Sequence, residues 1–441
     1  MWNEKLESMP RAELEKLQFG HLVNLLERLS KNVPFYKKLL AESAAVWQNL
    51  SSLEQVRKLP FTRKSDLRDN YPFGLIATDL AEISRFHASS GTRSKPTLVA
   101  YTKEDLDNWA ELGARSLMAA GVKPGDIVHN AYGYGLFTGG LGLHAAIEKL
   151  AAVCVPASGG KTQQQASLLK DLQARVLCCT PSYALRIAST LEEMGIPLAD
   201  LALRIGIFGA EPWSEPMRKR IEKELALEAM DIYGLSEIMG PGVSIECGLA
   251  RNGLHIWEDH FLAEIIDPLS NEVLADGQEG ELVITTLQKQ AQPLLRFRTG
   301  DLSTITREKC RCGRTMARMT RVKARLDDML IIRGVNVYPS EIENILLKVD
   351  ELAPHYQLVL KREESLDELS VQVEITEEIV NRWAEVQEDG LRMLALSERI
   401  KYLLKENLGL TVAVELLPAR SIARSEGKAC RLLDLRQTQS T

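Results

Sequence analysis

Between Asp126 and Gly234 short apolar runs recur as DIVHNAYGYG, AVCVPAS, ARVLCCTPS, RIGIFGAE and AMDIYG, each separated from the next by a stretch of helical periodicity. Strands alternating with helices predict a largely parallel α/β core. Upstream, residues 11 to 41 read as helices that end at VPFYKKLL. From about Ile256 the rhythm changes to FLAEIIDP, GELVITTL and STITREKC, broken by Asp, Pro and Gly, which predicts a small antiparallel β-rich subdomain over 256–324. After Arg325 the segment LDDMLIIRGVNVYPSEIENILLKV predicts a hairpin and then a helix opened by Pro339 and Ser340. HYQLVLKR, ELSVQVEIT, a helix from about Leu391 to Leu408 and VAVELLP complete a compact α+β unit. The expected organisation is therefore a large N-terminal domain, 1–326, followed by a small C-terminal domain, 327–441, with the boundary near Asp327.

Composition narrows the function classes. The chain has 441 residues, 45% of them hydrophobic, enough for more than one core. Its formal net charge of −6 disfavours a surface built for nucleic acid. A basic strip from Arg307 to Arg325, opposed only by Glu308, lacks the interleaved aromatics that nucleic-acid stacking needs. The start, MWNEKLESMPRAELEKL, has no apolar stretch of signal-peptide length, and charge interrupts the later apolar runs, so no export or membrane span is expected. Seven cysteines, thinly spread, fit a reducing cytoplasmic setting better than a disulfide framework.

The first chemical candidate is HASSGTRSKPT, His87 to Thr97, flanked by strand-like AEISRFHA and TLVAYT. Thr102 and Asp105 then form a capping-box pattern for the next helix. A Walker A loop needs Gly before its Lys and a helix directly after, whereas Ser94 precedes Lys95 and Pro96 follows it. What remains is a hairpin whose Ser89, Ser90 and Thr92 hydroxyls, Gly91 amide and Lys95 ammonium can close over a polyphosphate. Taken alone, it would be a polar turn.

Other segments decide the matter. In order, SSGTRSKPT, YGYGLFTGG, FGAEPW, DIYGLSEIMGPG, FRTGDL, RLDDMLIIRGVNVYPSEIE and SIARSEGKACR resemble the motifs of the adenylate-forming enzyme superfamily, and their wording is similar to phenylacetate-coenzyme A ligases. The resemblance implies that ATP and a carboxylate give an acyl-adenylate and pyrophosphate, after which coenzyme A displaces AMP to form a thioester. It implies a nucleotide site built from Gly209, Ala210, Glu211 and Pro212 on one face of adenine, and Asp231, Ile232, Tyr233, Gly234 and Ser236 on the other. The Tyr233 ring offers a stacking face, and Glu237 is an acid suited to holding Mg²⁺ against phosphates. Asp301, an acceptor-only carboxylate, suits the ribose hydroxyls, and Arg325 suits ribose or phosphate oxygens. Asp327 matches the hinge about which the C-terminal domain rotates, and Lys428 matches the lysine that bridges carboxylate and α-phosphate. The family pattern has Thr-Gly where this chain has Arg93-Ser94, the one clear departure.

Tyr134, Phe137 and Ile238 are the expected walls of an aryl-acid pocket, although plain core packing would account for Phe137 equally well. Cys310 and Cys312 form a knuckle-like pair that, with Cys247 and His255, makes a Cys₃His set suited to structural Zn²⁺. The expected cofactors are thus ATP, Mg²⁺ and coenzyme A as co-substrate, with a structural Zn²⁺. The expected partners are small molecules, neither nucleic acid nor membrane, and the likeness suggests a homodimer. Two alternatives stay open: an adenylyltransferase of the same superfamily that ends at an AMP adduct, and a non-catalytic nucleotide-binding regulator.

Overall fold

The computed structural model describes residues 1–89, 96–333, 335–363, 366–385, 389–424 and 431–436. A hairpin of β1 (Ile83–Ser89) and β2 (Thr97–Thr102) brackets the polar loop, with Ser89 opposite Thr97. The loop tip, including Ser90, Gly91, Thr92 and Lys95, lies outside the described residues, as do Arg93 and Ser94. The following helix, Lys103–Ala120, starts at the expected capping box: Asp105 N donates to Thr102 Oγ1 at 3.1 Å and Thr102 N to Asp105 Oδ2 at 3.0 Å. It stops at Gly121, whose φ of +100° an L-residue adopts only at a cost.

Strands β3 (Ile127–Asn130), β4 (Val153–Val155), β5 (Val176–Cys179), β6 (Ile205–Gly209) and β7 (Glu228–Tyr233) pair in parallel, as the alternation of apolar runs and helices requires. β5 and β6 are apolar and buried along their whole length, as strands inside a covered parallel sheet are. The sheet then turns antiparallel through β8 (Ser244–Glu246) and β9 (Leu254–Ile256). A second, four-stranded sheet holds β10 (Phe261–Ile266), β11 (Gly280–Thr286), β12 (Phe297–Ser303) and, past two intervening strands, β15 (Ala324–Arg325).

Those intervening strands depart from expectation. β13 (Ile305–Thr306), within STITREKC, and β14 (Arg318–Met319) leave the small sheet and join the large one, giving the order β13-β14-β9-β8-β7-β6-β5-β3-β4. The reason is partner choice, since β14 finds its hydrogen bonds on β9, with Arg318 opposite His255.

A separate apolar core, from Leu330 to Val412, lies wholly within the C-terminal part. There β16 (Leu330–Ile332) and β17 (Val335–Val337) form the hairpin, and the helix Pro339–Leu346 follows with Pro in its first turn. β18 (Leu352–Glu363) and β19 (Leu366–Ile375) pair antiparallel between β20 (Ala413–Leu417) and β21 (Leu432–Asp434), with the helix Asp389–Leu408 nearby. Arg220 Nη1 donates to Leu352 O at 3.3 Å and Arg420 lies 3.5 Å from Glu193, so the two parts touch directly.

The N-terminal helices clasp the chain around Glu258 and Arg314 through long-range polar contacts. Arg11 forms a two-pronged bond to Glu258 at 2.8 and 2.7 Å, Gln18 Nε2 donates to Glu258 O at 2.9 Å, and Arg314 Nε donates to buried Glu7 at 2.7 Å. Among the described residues no helix is long and apolar enough to cross a membrane.

Candidate active site

β6 and β7 run side by side in parallel, with Gly209 opposite Ile232, so their carboxyl ends deliver two loops to one place. A cleft opens there. Gly209 to Trp213 line it from β6 and Asp231 to Leu235 from β7; Asp301 and Arg325 close it from the small sheet, and Arg321 and Val322 from the segment between β14 and β15. Two backbone features are local necessities. A Cβ on Gly209 would stand 2.1 Å from Ile232 O, and one on Gly234 would stand 1.7 Å from Gly240 O, because the loop after β7 folds back on itself. Ala210 holds a left-handed φ of +69°, a strained conformation of the kind that concentrates at ligand sites.

Register brings the next pair together. β12 and β15 align Asp301 with Arg325, placing Arg325 Nε 3.4 Å from Asp301 Oδ1. The Tyr233 hydroxyl donates to Asp301 Oδ2 at 2.7 Å. Burial pushes the Asp301 carboxyl up, and the Arg325 guanidinium beside it opposes that shift. Burial also works against the Arg325 charge, but Asp301, Asp327 and Asp328 outweigh it and raise its pKa. Asp327 sits one turn further on, accepting Arg325 Nη2 at 3.3 Å and Lys64 Nζ at 3.1 Å. Its carboxyl would be raised by burial, yet the two cations hold it below the usual range.

At the other end of the cleft, Asp231 Oδ2 accepts Arg321 Nε at 3.1 Å. Burial pushes the Asp231 carboxyl up to about 6 against the pull of Arg321. The Trp213 ring lies 4.6 Å from the Arg321 guanidinium and 5.2 Å from that of Arg218. Glu211 Oε1 accepts Ser182 N at 2.7 Å, bracing the Gly209–Pro212 turn against the neighbouring helix. Ser236 and Glu237 are buried beside the cleft, with Ser236 Oγ 3.0 Å from Thr138 Oγ1.

The sequence therefore placed Gly209, Ala210, Glu211, Pro212, Asp231, Ile232, Tyr233, Gly234, Asp301 and Arg325 at what is one cleft. Tyr134, Phe137 and Ile238 do not line it. Tyr134 accepts from Asn130 Nδ2 at 2.9 Å and meets His144 Nδ1 at 3.2 Å; Ile238 is fully buried; Phe137 is 42% exposed. Lys428 lies outside the described residues. Arg321, one arginine in a basic strip, carries no positional signal, and Trp213 closes the FGAEPW motif with nothing there to mark its ring as part of the cleft. The strip itself is not a free basic face: Arg307, Arg314, Arg321, Lys323 and Arg325 each pair with a carboxylate.

The Cys₃His set does come together. The ligand atoms of Cys247, His255, Cys310 and Cys312 all lie within 4.8 Å of one another. Cys247 Sγ and Cys310 Sγ are 3.8 Å apart, and Cys312 Sγ is 3.4 Å from His255 Nε2. Tetrahedral zinc with bonds of about 2.3 Å to sulfur and about 2.0 Å to nitrogen demands edges of roughly 3.8 and 3.5 Å, so this donor set fits the ion.

Comparison with known proteins supplies the family. Residues 86–288 match the model of the AMP-binding enzyme family and residues 334–436 that of the AMP-binding enzyme C-terminal domain. The phenylacetate-coenzyme A ligase of Thermus thermophilus is 50% identical over 444 aligned residues, covering 99% of this chain and 100% of that protein. That of Escherichia coli is 47% identical, covering 98% of each. A solved 2-hydroxyisobutyryl-CoA ligase in the postadenylation state, bound to R3-HIB-AMP, superposes with a TM-score of 0.90 at 28% identity over 98% of this chain and 92% of that one. The same enzyme in the thioesterification state, with CoA, gives 0.71 over equal coverage, so the two parts of this chain are arranged as in the former. With near-complete coverage, matching family models at both ends and a cleft built from the shared motifs, the chain belongs to the phenylacetate-coenzyme A ligase family of AMP-binding enzymes.

Proposed function

We propose that the chain is an AMP-forming acid-thiol ligase that activates phenylacetate with ATP and transfers the acyl group from the adenylate to coenzyme A. The observation that carries this is half-identity to phenylacetate-coenzyme A ligases along the whole chain. The cleft supports it physically. Tyr233 offers a ring to adenine, while Asp301 and Arg325 present an acceptor and a fixed cation where ribose and phosphate oxygens would follow. Ser89 at the hairpin end, with Ser90, Gly91, Thr92 and Lys95, closes over the β- and γ-phosphates. Glu237 holds Mg²⁺, which neutralises phosphate charge when bound. Tyr134, Phe137 and Ile238 shape the acid pocket, and Asp327 serves as the hinge, restrained in this state by Lys64. Residues 1–326 and 327–441 act as separate domains, and the protein works in the cytoplasm, as a homodimer.

A carboxylate panel with ATP, with and without coenzyme A, tests the reading by following pyrophosphate, AMP and thioester. Thioester and AMP formed only with coenzyme A and an arylacetic acid are expected. A stable adenylylated product would point to an adenylyltransferase instead, and silence throughout to a nucleotide-binding regulator.

The Cys₃His cluster is a structural zinc site in the same proposal. It joins the β8–β9 region to the β13–β14 connection, and Arg314 extends it to the N-terminal helix by donating to Cys312 Sγ at 3.5 Å and to Glu7. Protein purified without added metal should contain one zinc per chain. Chelation should lower the melting temperature by several degrees, since structural zinc contributes directly to folding energy. Well-folded protein free of zinc removes the site.

A further inference from the structure

The loop after β7 carries Ser236, Glu237 and Ile238, and its carbonyl oxygens are taken up one after another. Leu235 O accepts the amides of Ile238, Met239 and Gly240. The Tyr101 hydroxyl lies 3.2 Å from Ser236 O and 3.3 Å from Met239 O. Lys289 Nζ donates to Ile238 O at 2.9 Å and reaches Glu237 O at 3.5 Å. Trp109 Nε1 donates to Pro241 O at 2.8 Å. The three side chains form one stack: Lys289 Nζ stands 4.4 Å from the Tyr101 ring centre, and that ring lies on Trp109 at 5.2 Å and 17°.

Lys289 is the unusual member. It is 1% exposed, and among the described residues no carboxylate lies within ion-pair distance of its ammonium. Burial lowers its pKa to about 8, opposed by Asp105 and Glu237. A buried ammonium carries a large desolvation penalty, and for packing alone a methionine would serve this position better. The position is nevertheless set from outside: Asp105 of the capping box accepts Gln290 N at 2.6 Å and Ala291 N at 2.9 Å, delivering the neighbouring lysine to the loop.

We propose that Lys289 is a positioning residue for adenylation. Its ammonium, seated on Tyr101, grips the Glu237 and Ile238 carbonyls and so sets where the Glu237 carboxylate meets the metal and where Ile238 meets the acid. The proposal rests on the role of Glu237 given above.

The test separates adenylation, measured with ATP and phenylacetate, from thioester formation on supplied phenylacetyl-adenylate, each in soluble Lys289→Met and Tyr101→Phe. In Lys289→Met the adenylation kcat is expected to fall by about tenfold or more and the Mg²⁺ half-saturation to rise by about fivefold, with thioester formation within about twofold of wild type. Tyr101→Phe should move the same two quantities less. Loss of general stability would lower both half-reactions together and leave the Mg²⁺ half-saturation unchanged, and that result overturns the proposal. If Lys289→Met does not fold, Tyr101→Phe decides alone by the same criterion. Glu237→Gln measured in parallel identifies a failure of the underlying reading: an unchanged Mg²⁺ half-saturation there removes the metal role of Glu237 itself.

Discussion

Lys428→Ala is expected to lose adenylation by about 10²- to 10³-fold or more while thioester formation from supplied acyl-adenylate stays within about threefold of wild type. Negative charge builds on the α-phosphate as the carboxylate attacks, and a cation aimed at it is worth more in that transition state than in the ground state. The thiol step starts from an adenylate already made and needs no such bridge. Residues on either side of the segment are firmly tethered. Arg424 makes a two-pronged bond to buried Glu374 at 2.7 Å on each arm, and Arg431 reaches Tyr356 at 2.8 Å and pairs with buried Glu343. Single-turnover assays of the two half-reactions check the split; an equal loss in both would contradict it.

Asp301→Ala is expected to reduce kcat/KM for ATP by about 10²-fold or more and to destabilise the fold by about 3 kcal/mol. The carboxylate is buried between the Tyr233 hydroxyl and Arg325, so truncation leaves the buried hydroxyl without its acceptor, leaves the Arg325 guanidinium with Asp327 alone, and removes the acceptor offered to the ribose. Asp301→Asn keeps the shape and one acceptor, so it should recover most of the melting temperature but little of the ATP affinity. Denaturant melts alongside pyrophosphate-exchange kinetics measure both; full ATP affinity in Asp301→Ala would remove the residue from the nucleotide site.

The parallel strands were readable because each is a short apolar run fenced by turn residues, which is a local property. The helix at Lys103 was readable for the same reason, since Thr102 and Asp105 satisfy each other across one turn. What could not be read was set by partners far along the chain. The strands β13 and β14 look like the rest of the β-rich region, and only the bond between β14 and β9 assigns them to the large sheet. Asp301 and Arg325 were each named from their motifs, but their adjacency comes from the β12–β15 register. Arg321 had nothing to distinguish it from its basic neighbours until Asp231 and Trp213 were placed around it. Lys289, between two glutamines, has nothing local to mark it, and its burial follows from how Asp105 fastens the next two amides.

The clasp made by the first two dozen residues has a consequence for the order in which the molecule assembles. Glu7, Arg11 and Gln18 find their partners at Glu258 and Arg314, 240 to 307 positions later. The helix Arg11–Asn32 packs on the neighbouring helix Pro34–Ala41 and on Leu53–Lys58, close in sequence, but its polar anchors close only once Glu258 and Arg314 are in place. Contacts of such sequence separation form late and slowly. The clasp of Glu7, Arg11 and Gln18 is thus among the last contacts to settle, and the interval before it closes is when a chaperone would matter most.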